Sequence, residues 1–384
     1  MLHTGDSMLI GQREALREIA PHVRSSTAIG LAFFFYDMAL YWGGVAGAIF
    51  LPDLWMKLVA ATIAGFKLSA FKTLGHDAAH GCLVRGRRLN WLLGVIVYAP
   101  CFYNYRMWVY DHHVGHHPHT NGPIKDTYTP FNKAEFDALP LCRQWMERLY
   151  RGPNVIGWSL YYLIERWWDM KIFPRSHMPK KHRDAAWPHF WFLVAYGIVF
   201  YGALAMAPAY SNMSAAGAIL VAGVYPFLVF MAVTGWGLYL QHTHPDAAWV
   251  RGSDEENKIY YDRGELLSVH WVFPRWFGKF THDVMDHPVH HLHPRIPCYR
   301  LRVAQAKLNE LLGEHALVEK FTFKSFLHTM RACKLYDFEN HRWLDFDGKP
   351  TTGTTRMFRS TVNELRAPQV KAAAVNTDAL LEAA

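Results

Sequence analysis

The sequence predicts an all-α integral membrane protein, with four transmembrane helices in two hairpins and a helical cap on the cytoplasmic side. Three observations lead there: four apolar stretches near the length a helix needs to cross a bilayer, a shortage of charge, and a basic excess gathered on one side of those stretches. Of 384 residues, 51% are hydrophobic and 15% aromatic while only 19% are charged, against about 25% in a typical soluble chain. That balance excludes intrinsic disorder and collagen-like structure. The net charge of +8 suits either nucleic acid or an anionic lipid surface.

The elements follow in order. Residues 1–25 read as a cytoplasmic N-terminal helix, because Arg13, Glu14, Arg17 and Glu18 fall at helical spacing where a signal peptide would be apolar. The spans are expected at about 28–51, 54–74, 190–207 and 215–240. Within them stand one acid, Asp37, and three lysines. Lys57 and Lys72 sit near helix ends and are expected to snorkel, whereas Lys67 must pair or reach outward. The run Trp91 to Pro100 is too short to span and is expected to be re-entrant, interfacial or part of the cap. Residues 26–360 form one membrane domain in this reading. The Ala-rich stretch 361–384 is expected to be a disordered tail.

Sidedness comes from the connections. Spans one and two are joined through Pro52 and Asp53, and spans three and four through about seven residues near 209–214, none of them Lys or Arg. Residues 82–186 instead carry Arg85, Arg87, Arg88, Arg143, Arg148, Arg151, Lys180, Lys181 and Arg183, which places that stretch and both termini in the cytoplasm. A membrane surface then accounts for the basic excess, and no nucleic-acid partner is expected. Trp158, Tyr161, Tyr162, Trp167 and Trp168 among charged neighbours suggest a helix in the headgroup layer over 146–172. The five cysteines form no paired framework and read as reduced thiols.

Fourteen of the 23 histidines fall in four windows: His76 and His80; His112, His113, His116, His117 and His119; His242 and His244; His282, His287, His290, His291 and His293. A single histidine is most often a hydrogen-bonded or surface residue, the reading adopted for His3, His22, His177, His189, His270, His315, His328 and His341. Clustered imidazoles at i, i+3 and i, i+4 repel once protonated and fill a core poorly, so a shared metal is the economical explanation. All four windows fall on the same predicted side of the bilayer, and eight or more ligands exceed one ion's shell, so the cap is predicted to carry a dimetal site. Zinc would leave ligands idle, whereas a diiron site that activates O2 uses them all and suits oxidation of an unactivated hydrocarbon at a membrane face. Asp77, Asp111, Asp283 and Asp286 are candidates to orient the ligands, or else caps and salt bridges.

These motifs resemble the integral-membrane fatty acid desaturase and hydroxylase superfamily, with its three histidine boxes of the form HxxxH, HxxHH or HxxxHH, and HxxHH. The stretches Tyr239-Leu-Gln-His-Thr-His-Pro245 and His282-Asp-Val-Met-Asp-His-Pro-Val-His-His-Leu-His-Pro-Arg-Ile-Pro297 are similar to the acyl-lipid, omega-6-type branch. The resemblance implies His76, His80, His113, His116, His117, His242, His287, His290 and His291 as ligands of two irons, with His112 and His244 as extras. Box two departs from the branch pattern. His113, His116 and His117 match the HxxHH spacing of acyl desaturases, and His112, His116 and His117 the HxxxHH spacing of alkane hydroxylase relatives. On an α-helix at 100° per residue the first trio shares a face while His112 points about 140° from His117, which favours His113.

The resemblance implies an O2- and iron-dependent fatty acyl desaturase, with hydroxylation or decarboxylation to a terminal alkene as alternatives on the same site. The chain shows no cytochrome b5-like segment, so electrons are expected from a separate ferredoxin, rubredoxin or cytochrome b5-type donor, for which a basic cytoplasmic face is suited. A non-enzymatic metal transporter would need ionisable residues along the spans, and only Asp37 and Lys67 stand well inside them.

Overall fold

The computed structural model describes residues 9–122, 127–154, 156–176, 178–251 and 262–360; the predicted tail at 361–384 lies outside them. Four helices are long and apolar enough to cross a membrane: Thr27–Phe50, Leu54–Ala79, Lys180–Ala205 and Ala215–His242. They match the expected spans with two differences of consequence. The second runs on to Ala79, so His76 lies in its last turn, and the third begins at Lys180, where a charged first turn precedes the apolar run.

The N-terminal helix α1 (Gln12–Ile19) is shorter than expected and buries Ala15 and Ile19. It packs against the helix Cys298–Leu312. Ser26 caps α2 (Thr27–Phe50), its hydroxyl accepting from the amide of Ile29. Leu51 to Asp53 connect it to α3 (Leu54–Ala79), against which it packs along its length; α3 also packs against the fourth span and against α4 (Arg87–Tyr98). Glycines permit two of these approaches. A Cβ at Gly65 would fall 2.6 Å from Val229 of the fourth span, and one at Gly75 only 1.9 Å from the Tyr98 ring of α4. Helix α4 is the Trp91 run: at 12 residues it is about 18 Å long, and it buries Leu93, Val97 and Tyr98 while exposing Trp91, Leu92 and Ile96.

The fold is not wholly helical. Four three-residue strands pair as β1 (His270–Val272) with β2 (Val318–Lys320), parallel, and β3 (Leu335–Asp337) with β4 (Arg342–Leu344), antiparallel. The expected headgroup helix is also revised. Trp158, Tyr161 and Tyr162 are core residues, with the Tyr128 hydroxyl donating to the carbonyl of Trp158 at 2.9 Å, and Trp168 is the exposed aromatic of that stretch. Aromatic side chains with a polar edge suit a wet interface and a hydrogen-bonded core equally, so composition did not separate the two.

The ionisable residues of the spans find partners. Lys67 donates to Asp37 at 2.9 Å and to the carbonyl of Phe280 at 3.0 Å, and the second oxygen of Asp37 meets His282 Nε2 at 2.5 Å. Asp37 and Lys67 are both fully buried. Lys57 reaches the carbonyl of Ile49 in the last turn of α2. Lys72, expected to snorkel, instead lines an internal cavity beside His76. All five cysteines are free.

Removing one partner of a buried ion pair leaves an uncompensated charge, which costs about 3–5 kcal/mol. Asp37→Ala is therefore expected to lower the melting temperature of the detergent-solubilised protein strongly. The double variant Asp37→Asn with Lys67→Met, which leaves no buried charge, is expected to lose less, and scanning calorimetry reads the difference.

Candidate metal centre

The four histidine windows come together at one end of the spans. His76 and His80 occupy the last turn and C-cap of α3 at i, i+4, with ring centroids 4.7 Å apart. His242 is the last residue of the fourth span. The third box forms a short helix, Pro288–Leu292, with His287 at its N-cap. The second box follows α5 (Tyr105–Tyr110), where the chain does not continue as an α-helix. Residues Asp111–His116 wind as a π-helix, and the amide of His117 bonds the carbonyl of His112.

That local winding decides the second box. With i→i+5 hydrogen bonds, residues five apart lie one above the other, and His112 Nε2 approaches His117 Nε2 at 3.0 Å. The expectation built on 100° per residue fails for this reason: the structure brings His112, not His113, into the cluster. The His113 ring rests against His80 at 4.4 Å between centroids, and its nitrogens fall outside both donor groups.

Nine imidazoles converge in two groups, each with ligand atoms within 4.8 Å of one another: His76, His80, His112, His117 and His290 in one, and His116, His242, His287 and His291 in the other. In the first, His76 and His290 Nε2 are 2.9 Å apart, and His117 Nε2 lies 3.0 Å from that of His290 and 3.2 Å from that of His80. In the second, His287 Nε2 lies 3.0 Å from His242 and 2.8 Å from His291.

Hydrogen bonding cannot satisfy this arrangement. His117 Nε2 faces three other Nε2 atoms, and one N–H can point at only one of them. A cation can satisfy all of them: nitrogens about 2.1 Å from one ion and at right angles lie about 3.0 Å apart. Burial, followed by the charge of neighbouring imidazoles, holds His80, His112, His287, His290 and His291 well below the usual histidine range, in the neutral form a metal requires. Five donors exceed a tetrahedral zinc shell, and among the described residues neither group includes a carboxylate or a thiolate. The histidine groups are compatible with two iron ions.

Surrounding residues fix the rings. Asp77 accepts from His76 Nδ1 at 3.0 Å with one oxygen and from the amide of Cys298 at 2.5 Å with the other, which ties α3 to the helix after the third box. Thr120 Oγ1 meets His291 Nδ1 at 3.1 Å. Asn121 donates to the carbonyls of His242, Ala248 and Leu267. Trp108 stacks on His112 with centroids 4.4 Å apart. Of the four acids expected near the ligands, Asp77 is the one seen above to bond a cluster histidine. Asp111 pairs with Arg166 and Lys171, Asp283 with Arg302, and Asp286 with His270.

The other window histidines stand outside both groups. His282 serves the Asp37 pair, and His244 Nδ1 accepts from the amide of Asp246. His119 and His293 likewise contribute to neither group. Reading the sequence missed Thr120, Asn121 and Trp108. An Asn after the second box carries no periodic signal, and Trp108 at i−4 from His112 was the one feature that pointed to a stacked ring.

Beneath the cluster, toward the spans, Lys72, Thr73, His76, His112, His116 and His287 border a narrow cavity of about 60 Å³. A second cavity shares Lys72, Thr73, Leu238, Gln241 and Val284 with it and continues to Val233, Trp236, Phe277 and Met285.

A fatty acid desaturase family model matches residues 52–323 of this sequence. The chain belongs to the fatty acid desaturase family. It is an oxidoreductase and an integral membrane protein of that family. It is 28% identical to an sn-1 oleoyl-lipid 12-desaturase of Synechocystis sp. over 310 residues, 77% of this chain and 80% of the relative. It is 25% identical to a chloroplastic omega-6 fatty acid desaturase of Glycine max, covering 79% and 67% of the two chains. A Synechocystis sn-1 acyl-lipid omega-3 desaturase (ferredoxin) is also 25% identical, over 76% of this chain and 77% of the relative.

Loss of a ligand removes metal outright, whereas loss of a supporting partner lowers affinity by about 10- to 100-fold. His112→Ala is expected to yield protein with fewer than two metal ions per chain, and His113→Ala protein that keeps both. Elemental analysis of gently purified variants distinguishes them.

Proposed function

We propose that the protein is an O2- and iron-dependent fatty acyl desaturase, in which His76, His80, His112, His117 and His290 hold one iron and His116, His242, His287 and His291 the other. The observation that carries this reading is nine imidazoles converging beside a cavity that runs between the spans. Two irons with O2 and two electrons supply the oxidising power to remove hydrogen from an unactivated carbon chain.

The chain's own residues set the conditions. Leu238, Val284, Trp236, Phe277 and Met285 line an apolar path on which an alkyl chain is bound without water. Asp77 and Thr120 hold His76 and His291 with Nε2 turned into the cluster. The stacked Trp108 keeps His112 in place and closes one wall of the cavity. Acyl-lipid relatives support an acyl chain as substrate, and the relative named with ferredoxin supports a separate electron donor of the ferredoxin, rubredoxin or cytochrome b5 type. The HxxxHH spacing of His112, His116 and His117 is the one seen in hydroxylase relatives, so product identity is the decisive readout.

In this reading residues 26–360 are the membrane domain. Its spans form two hairpins, with the histidine cap and both termini in the cytoplasm. The lysine- and arginine-free connections at Leu51–Asp53 and 206–214 support that orientation.

Cells expressing the protein are expected to accumulate unsaturated acyl chains absent from a His290→Ala control. Lipid mass spectrometry reads this, and hydroxylated chains or terminal alkenes in their place would transfer the site to the alternative chemistry. A cysteine engineered at Met213 is expected to react with an impermeant reagent only from the side opposite the histidines, and labelling from the cytoplasm would reverse the orientation.

A further inference from the structure

The centre has a second approach. A groove of about 650 Å³ reaches His80 and His113, and among the described residues none lines both it and the narrow cavity. Arg87, Arg88 and Arg106 line the groove, and among the described residues no acid does. All three are exposed, and among the described residues none of them forms an ion pair or hydrogen bond. Some other arginines outside the spans are paired, Arg143 and Arg151 with Glu147 and Arg166 with Asp111. Three like charges left unneutralised around one opening form a site for an anionic surface.

We propose that this groove is the docking site of a small acidic one-electron carrier protein of the ferredoxin class, held by Arg87, Arg88 and Arg106. The proposal rests on the desaturase reading. An acidic carrier needs only to meet the rim, and half-buried His80 at the floor, itself a member of the imidazole cluster, then faces its redox centre. A lipid headgroup on the same arginines fits less well, because its acyl chain would have to cross the imidazole cluster to enter the cavity between the spans.

The stoichiometry requires two such encounters per turnover. Desaturation removes two hydrogens, with their two electrons, from adjacent carbons as the C=C bond forms. O2 takes four electrons in becoming two waters, so two reduced carriers each give one electron and solvent supplies two protons. Substrate and carrier must therefore reach the centre without displacing one another, and two approaches with no described residue in common allow this.

The test uses the full-length, metal-loaded protein in phosphatidylcholine vesicles with a plant-type [2Fe–2S] ferredoxin as probe. Binding is measured directly at low and high salt, alongside KM for ferredoxin and for an acyl lipid. The charge-reversed R87E/R88E/R106E variant is expected to bind ferredoxin about tenfold or more weakly and to lose most of the salt dependence. The R87K/R88K/R106K variant is expected to retain both. Metal content and KM for the acyl lipid are expected to stay unchanged in either variant. Ferredoxin binding that is absent in the unmodified protein, or unaltered by charge reversal, overturns the proposal. A change confined to KM for the acyl lipid also overturns it and assigns the arginines to a headgroup. Because binding is read without turnover, an unmodified protein that binds ferredoxin but forms no unsaturated product counts against the desaturase reading alone.

Discussion

Nine imidazole rings held with their Nε2 atoms about 3 Å apart are the constraint on which this structure turns. Neutral rings in that position crowd lone pair against lone pair, and protonated rings repel. Neither hydrogen bonds nor apolar packing relieves such a cluster, so other parts of the fold must hold it together, and its donors are compatible with metal ions. The supports come from distant parts of the chain. Asp77 joins α3 to the helix at Cys298, Asn121 gathers three carbonyls around His242, and Gln305 accepts from the amide of Val289 in the third box.

The buried charges of the spans belong to the same economy. Asp37 bridges Lys67 of the second span and His282 of the segment that leads into the third box. His282 and Asp283 both adopt left-handed backbone, with φ of 60° and 51°, a conformation that costs energy in residues with a Cβ and persists where the surroundings enforce it. The ion pair supplies that enforcement. Lys67, expected to pair or reach outward, thus pairs with Asp37, and the two brace His282, five residues from His287.

The two groups of histidines also differ in setting. His116, His242 and His287 are buried, whereas His80 and His117 are half-buried toward the outer face. The proposed desaturation, with an apolar chain arriving from the spans and electrons from a water-soluble carrier, would use this asymmetry. The basic groove and the narrow cavity express it in charge and in shape.

The four spans, the histidine windows and the family were legible in the order of the residues alone. Span length, charge scarcity and i, i+4 spacing are local properties, set by hydrogen bonds within a few residues and by the thickness of a bilayer. That His112 rather than His113 joins the cluster was not legible there, because the switch from α to π winding at Asp111 changes which residues share a face without changing their spacing in the chain. Packing likewise set the division of the imidazoles into groups of five and four, the burial of Trp158, Tyr161 and Tyr162, and the pairing of Asp37 with a histidine 245 residues away. Such partnerships depend on how helices pack against one another, and a single strand of sequence carries no term for that distance.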